Sequence, residues 1–248
     1  MASYELYIPR SHRTPFPLIL ILPILGRFLF LPDFWIENKI AKFFARRGFA
    51  SVVLCRAFFT FNPAEGLGQI NDYLIQTVKL ARETLDKLSS DDRINTRQVV
   101  SLGISFGGII NVLLMAEEPR VRASAIALAG GNIPEILRTS RDPLVKSYYR
   151  QVRKGTGLPP DEFVSKLEGE LAAEPLKVAP SLDPKRILMI RARYDRVIFP
   201  RYTDALWEAL GKPHTVTLPL GHYFSLLALY YVEQKVYEFF RLKISMGL

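Results

Sequence analysis

The sequence predicts an α/β sandwich, a mainly parallel β-sheet covered by helices on both faces. Three observations predict it. Short, almost wholly apolar runs recur along the chain; segments with apolar residues spaced by three and four alternate with them; and polar or glycine-bearing turns separate the two kinds. With 248 residues, 49% hydrophobic and 23% charged, the chain can bury one large core, so a single domain over 1–248 is expected.

Residues 15–36 read PFPLILILPILGRFLFLPDFWI, long enough to suggest a membrane span or a secretory leader. Pro23 and Gly26 interrupt any helix there, Arg27 sits near the middle, and no small-residue cleavage site follows. A buried strand at 18–22 and a turn are expected instead, without stable membrane insertion. Asp33 can then cap a helix over 33–47, with Ile36, Ile40, Phe43 and Phe44 on one face and Gly48 beyond its end.

The valine-rich run at 50–54 is too short for a helix and reads as a buried strand, with Cys55 packed alongside it. Over 67–88, Ile70, Leu74, Thr77, Ala81, Leu85 and Leu88 fall at helical spacing. A strand at 99–104, a helix over 106–117 and a strand at 123–129 follow, the last stopped by Gly130 and Gly131. Residues 134–180 replace this rhythm with prolines and short mixed-charge helical pieces, and read as an insertion. Strands at 187–190 and 215–218 and helices at 200–210 and 225–242 restore it.

Composition narrows the function. The net charge is +9 and the pI about 9.6, yet the cations are scattered in doublets such as Arg46-Arg47 and Arg153-Lys154, with no basic run, zinc-finger spacing or RNP motif. No nucleic-acid partner is expected. A lone cysteine rules out an internal disulfide, and a cytoplasmic location is expected. Three histidines and one cysteine offer no metal-ligand cluster, and neither a Walker loop nor a dinucleotide fingerprint is present, so no metal or cofactor is implied.

Ligand sites in such sheets lie at the carboxyl ends of the strands, which directs attention to residues just past each strand. Ser105 stands there in GISFGG, between a strand and a helix, the context in which Gly-x-Ser-x-Gly forms a nucleophile elbow. A sharp turn strains the serine, Gly103 and Gly107 let neighbouring elements pass, and the Phe106 N–H points where an oxyanion would form. Serine needs a base. Of the three histidines, His12 precedes the first core strand and His214 begins the last, whereas His222 follows the last strand at the edge that displays Ser105. The imidazole needs a carboxylate partner, and Asp195, just past the strand at 187–190, is placed for it. A surface pairing of Asp195 with Arg193 or Arg196 is the alternative, and Asp204, within the next helix, is the weaker candidate.

The chain order Ser105, Asp195, His222 resembles that of the α/β-hydrolase superfamily over residues 15–242, most clearly in DRINTRQVVSLGISFGG, RARYDRVIFP and LPLGHY. The chain is most similar to bacterial hydrolases of the dienelactone-hydrolase and acetyl-xylan-esterase type, in which Gly-x-Ser-x-Gly-Gly is common, and serine at the elbow favours the esterase side. The resemblance implies the α/β-hydrolase fold with a small helical cap over 134–180 and hydrolysis of a small-molecule carboxylic ester through an acyl-enzyme. It implies a second oxyanion donor at Leu25, with Ile24 and Gly26 fitting nearly as well. Leu144, Val145, Tyr148, Tyr149, Leu158 and Phe163 of the cap could face substrate or pack the cap onto the core. Short acyl chains are expected to be preferred. Two other functions compete: a serine peptidase of prolyl-oligopeptidase type, and a non-catalytic ligand-binding protein on the same scaffold.

Overall fold

The computed structural model describes residues 4–10, 14–25, 33–55 and 66–245. Seven strands, β1 (Tyr4–Tyr7), β2 (Phe16–Leu22), β3 (Ala50–Leu54), β4 (Ile94–Ile104), β5 (Val121–Ala127), β6 (Ile187–Ala192) and β7 (His214–Leu218), form one sheet in the order β1-β3-β2-β4-β5-β6-β7. All neighbouring pairs are parallel except β1 with β3. β1 was not expected. Its YELY sequence is short and only partly buried at the sheet edge, so it carries no apolar run for periodicity to detect.

The buried strands supply both faces of the core because side chains alternate across a strand. Leu18, Leu20 and Leu22 of β2 join the cluster containing Ile70, Leu74, Ile110 and Leu114, whereas Ile19 and Ile21 join the one containing Ile40, Phe44 and Phe240. The first face is covered by α2 (Gln69–Leu88) and α3 (Phe106–Glu117), the second by α1 (Trp35–Ala45) and α9 (Leu229–Ser245). Every apolar position that marked α1 and α2 as amphipathic is buried. This buried apolar area is the main stabilising contribution to the sandwich.

Boundaries differ from expectation at several elements; β5, expected at 123–129, spans Val121–Ala127, so it ends before Gly130 and Gly131. α1 starts at Trp35, so its cap position falls on Phe34 in the left-handed region (φ 59°), one residue after Asp33, and it ends at Ala45 rather than 47. β4 begins at Ile94, where its polar INTRQ stretch pairs with β2 ahead of a register shift. The helix expected from residue 225 begins at Leu229, because Tyr223–Ala228 form a 3₁₀ segment in which the Ser225 N–H and hydroxyl both donate to Gly221 O. Cys55 lies just past β3 and is half-buried.

Between β5 and β6 the chain forms α4 (Ile133–Thr139), α5 (Pro143–Thr156), α6 (Pro160–Glu170) and the single turn α7 (Pro175–Val178). α8 (Pro200–Ala209) then connects β6 to β7.

Candidate active site

β4 ends at Ile104 and α3 begins at Phe106, so Ser105 alone makes the turn. Its φ of 56° and ψ of −119° lie where an L-residue stays only if its surroundings hold it. They do: the Ser105 N–H donates to Ala127 O at 2.8 Å, and its carbonyl accepts from the N–H groups of Gly108 and Ile109 at 2.9 and 3.2 Å. The flanking glycines make the close approach possible. A Cβ on Gly103 would sit 2.1 Å from Gly107 O, and one on Gly107 would sit 2.8 Å from Pro23 O.

Two loops bring the other candidates to this hydroxyl. Asp195 follows β6 and His222 follows β7, both at the edge where β4 ends. His222 Nε2 lies 3.0 Å from Ser105 Oγ, and His222 Nδ1 lies 2.7 Å from Asp195 Oδ2. The second oxygen of Asp195 accepts the N–H groups of Val197 and Ile198 at 2.8 and 3.0 Å. Asp195 is thus 3% exposed and buried, held by loop and imidazole, and among the described residues it forms no ion pair with Arg193 or Arg196. A carboxylate on Nδ1 fixes the proton there and leaves the Nε2 lone pair facing the serine. The remaining candidates lie elsewhere. Asp204 pairs with Arg191 from α8, His214 is exposed at the start of β7, and His12 lies outside the described residues.

Phe106 opens α3, so its N–H has no acceptor within the helix and sits at the positive end of the helix dipole. Leu25 follows β2 and lines the same cavity as Ser105, Phe106 and His222. Of the three residues expected to offer a second donor, Ile24 is already engaged, because its N–H donates to Glu37 Oε1 at 3.1 Å. Gly26 lies outside the described residues. Glu37 is 2% exposed on the apolar face of α1; an acidic residue on that otherwise apolar face is the one sequence signal that could have pointed to it.

The cavity beside Ser105 measures about 660 Å³. Its walls are largely apolar, with Ile70 and Tyr73 from α2, Leu144, Val145 and Tyr148 from α5, and Leu229 from α9. Burial pushes the Tyr148 phenol up from its ordinary range. Leu144, Val145 and Tyr148 line the cavity, Val145 and Tyr148 while also packing on the core, whereas Tyr149 packs edge-on against Phe163 at 5.0 Å, Phe163 is fully buried, and Leu158 lies against the core.

Two contacts tie the insertion to the loops of the site, and the sequence reading missed both. The Tyr223 hydroxyl donates to Asp142 Oδ2, while Asp142 Oδ1 accepts from Val145 N at 2.9 Å as the cap of α5. The Arg141 N–H donates to Arg196 O at 2.9 Å. Asp142 before Pro143 is a helix-start signature, but nothing local in the sequence connects it to a tyrosine 81 positions away. Among the described residues no group of three His, Cys, Asp or Glu could hold a metal ion, and no helix is long and apolar enough to cross a membrane.

A mainly parallel sheet with a strand-serine-helix elbow, the acid after β6 and the histidine after β7 has the α/β-hydrolase architecture. Solved structures agree on the fold. Esterase Est1E from Butyrivibrio proteoclasticus is 15% identical and superposes with a TM-score of 0.64 over 98% of this chain and 94% of its own. The α/β hydrolase GrgF from Penicillium sp. is 14% identical, with a TM-score of 0.67 over 97% and 93%. A putative dienelactone hydrolase from Klebsiella pneumoniae is 13% identical, with a TM-score of 0.62 over 94% and 90%. No protein-family model and no curated protein matches the sequence. The chain takes the α/β-hydrolase fold, and at these identities the likeness extends to the fold alone.

Proposed function

We propose that the protein is a serine hydrolase that cleaves carboxylic esters through an acyl-enzyme. The observation that supports this most is the continuous hydrogen-bonded chain from Ser105 through His222 to Asp195. In this reading His222 Nε2 takes the hydroxyl proton as Ser105 Oγ bonds to the ester carbonyl carbon. The carbonyl oxygen becomes an oxyanion that the N–H groups of Phe106 and Leu25 stabilise. His222 returns the proton to the leaving alkoxide as the ester C–O bond breaks. Water, deprotonated by the same imidazole, then adds to the acyl carbon, and collapse frees the acid and restores the Ser105 hydroxyl. Asp195 keeps its charge throughout and stabilises the imidazolium. No metal or cofactor takes part in this scheme.

The substrate preference follows from the cavity. At about 660 Å³ with mostly apolar walls, it is within the range of pockets that bury a drug-sized ligand and is far larger than an acetyl group needs. The sequence leads to an expectation of short acyl chains; in this reading the cavity also admits medium-length or aromatic acyl groups, which are proposed as the better substrates. The α4–α7 insertion acts as a cap in this reading, with α5 forming one wall.

Turnover of p-nitrophenyl esters from acetate to laurate tests the proposal. An optimum at a medium chain supports it. Absence of turnover across the series, or faster cleavage of a prolyl-peptide anilide than of any ester, would count against it.

A further inference from the structure

α1 and the segment after His222 share one outer surface. Trp35, Lys39, Lys42 and Arg46 recur at spacings of four, three and four, so they form one stripe along α1, and all are exposed. On the neighbouring segment Phe224 is 68% exposed, Leu227 80%, Tyr230 65% and Tyr231 48%. The two elements are neighbours: the ring of buried Phe43 lies edge to face with Tyr230 at 6.3 Å, and Trp35, Lys39, Lys42, Arg46 and Tyr230 border a common groove.

Single exposed apolar residues are ordinary, but a contiguous cluster of large ones marks an interaction surface. This cluster also adjoins the cavity mouth. Tyr223, Leu226 and Leu229 of the same segment line the cavity, as do the exposed Leu25 and Leu144. The segment that exposes Phe224 and Leu227 thus also contributes wall residues to the cavity.

We propose that this surface docks the protein on an anionic lipid bilayer. Charge identifies the occupant. Lys39 and Lys42 of α1 and Arg46 just past its end flank the exposed apolar residues, and the whole chain carries a charge of +9, which anionic headgroups attract. Phe224 and Leu227 enter the boundary between headgroups and acyl chains, while Trp35, Tyr230 and Tyr231 sit at headgroup level with their apolar bodies inward and polar tips in water. Two acidic residues border the groove. Asp33 is exposed at its edge. Glu233 is buried, and desolvation pushes its carboxyl up to about 7 against the opposing pull of Lys39 and Arg47, which limits its repulsion of anionic headgroups near neutral pH. Docked this way, the mouth beside Ser105 faces the lipid, so an ester would enter from the bilayer. That last clause rests on the proposed reaction; the docking does not.

The test is co-sedimentation of the full chain with vesicles of phosphatidylcholine alone and of equal parts phosphatidylcholine and phosphatidylglycerol. Binding to the anionic vesicles should exceed that to the neutral ones by about tenfold or more and weaken as salt is raised. The pair Lys42→Glu and Arg46→Glu, and separately Phe224→Ser with Leu227→Ser, should each reduce it by about tenfold while circular dichroism stays native. If the apolar pair fails to fold, the charge pair at the exposed Lys42 and Arg46 carries the test. Ser105→Ala should bind as the parent does, so the docking can be judged even where the ester reading fails. Equal partition onto both lipids, no binding, or binding unchanged in the charge pair would overturn the proposal. So would a dimer in analytical ultracentrifugation that the apolar pair dissolves, which would assign the surface to a second copy of the chain.

Discussion

The carboxylate of Asp195 divides its two oxygens between two tasks: Oδ2 lies 2.7 Å from His222 Nδ1, and Oδ1 accepts the N–H groups of Val197 and Ile198. One oxygen fixes the loop and the other fixes the imidazole.

Asp195→Asn separates these tasks. The amide oxygen would keep the two backbone donors, which leaves the NH₂ group facing Nδ1. That forces the imidazole proton onto Nε2, where it can no longer accept the serine proton. The expected outcome is a fall in kcat of about 10⁴-fold, with KM and the melting temperature nearly unchanged. Steady-state kinetics alongside a thermal melt checks this, and an unfolded variant would show instead that the carboxylate acts mainly as a structural anchor.

Close packing at the elbow makes a second prediction. Gly103→Ala places a methyl 2.1 Å from Gly107 O, a backbone atom that can move only with the elbow, so a loss of at least about 1–3 kcal/mol is expected. Gly169→Ala is the control. Gly169 lies in α6 with open space at its Cβ position and an ordinary φ, so this change should stabilise by about 0.5–1 kcal/mol. Denaturant melts of the two variants should move in opposite directions.

The readability of the chain follows from how locally each feature is encoded. Buried strands such as Ala50–Leu54 and amphipathic helices such as Gln69–Leu88 announce themselves by period. The elbow was legible because glycine, serine and their strand-helix context fall within six residues, and Asp195 and His222 because parallel topology puts both strand ends at one edge. Features set by distant contact were not. Tyr223 with Asp142, and Ile24 with Glu37, join residues far apart in the chain, and although an acid on the apolar face of α1 marks Glu37 as unusual, nothing local names its partner. The polar edge strand Tyr4–Tyr7 and the choice of which insertion residues line the cavity fall in the same class.

Val145 offers a test of the cavity. It lines the wall contributed by α5, so Val145→Phe fills space there while its backbone N–H can keep the bond to Asp142. The ratio of kcat/KM for octanoate over acetate esters should fall by about 10–100-fold, a loss of about 1–3 kcal/mol of selective binding, while acetate turnover stays near that of the parent. An unchanged ratio would remove the acyl chain from this wall.

Glu233 links stability to pH. Desolvation raises its carboxyl to about 7 in the folded chain, above the ordinary range near 4.3. Between those values the unfolded chain releases the proton first, so the folded state loses stability as pH rises through this window and levels off above it. Glu233→Gln removes the ionisation. Its melting temperature should match the parent near pH 4.5 and exceed it at pH 8, by about 2–4 °C for each kcal/mol recovered. A constant difference across that range would contradict the assignment.

Reaction of the folded protein with a fluorophosphonate probe, read by intact mass, tests most directly whether Ser105 is an activated nucleophile. An activated Ser105 gives one phosphonate adduct on the parent, located at Ser105, and none on Ser105→Ala with a native circular dichroism spectrum. A folded parent that stays unlabelled, or a Ser105→Ala variant that is labelled as fast as the parent, would contradict it.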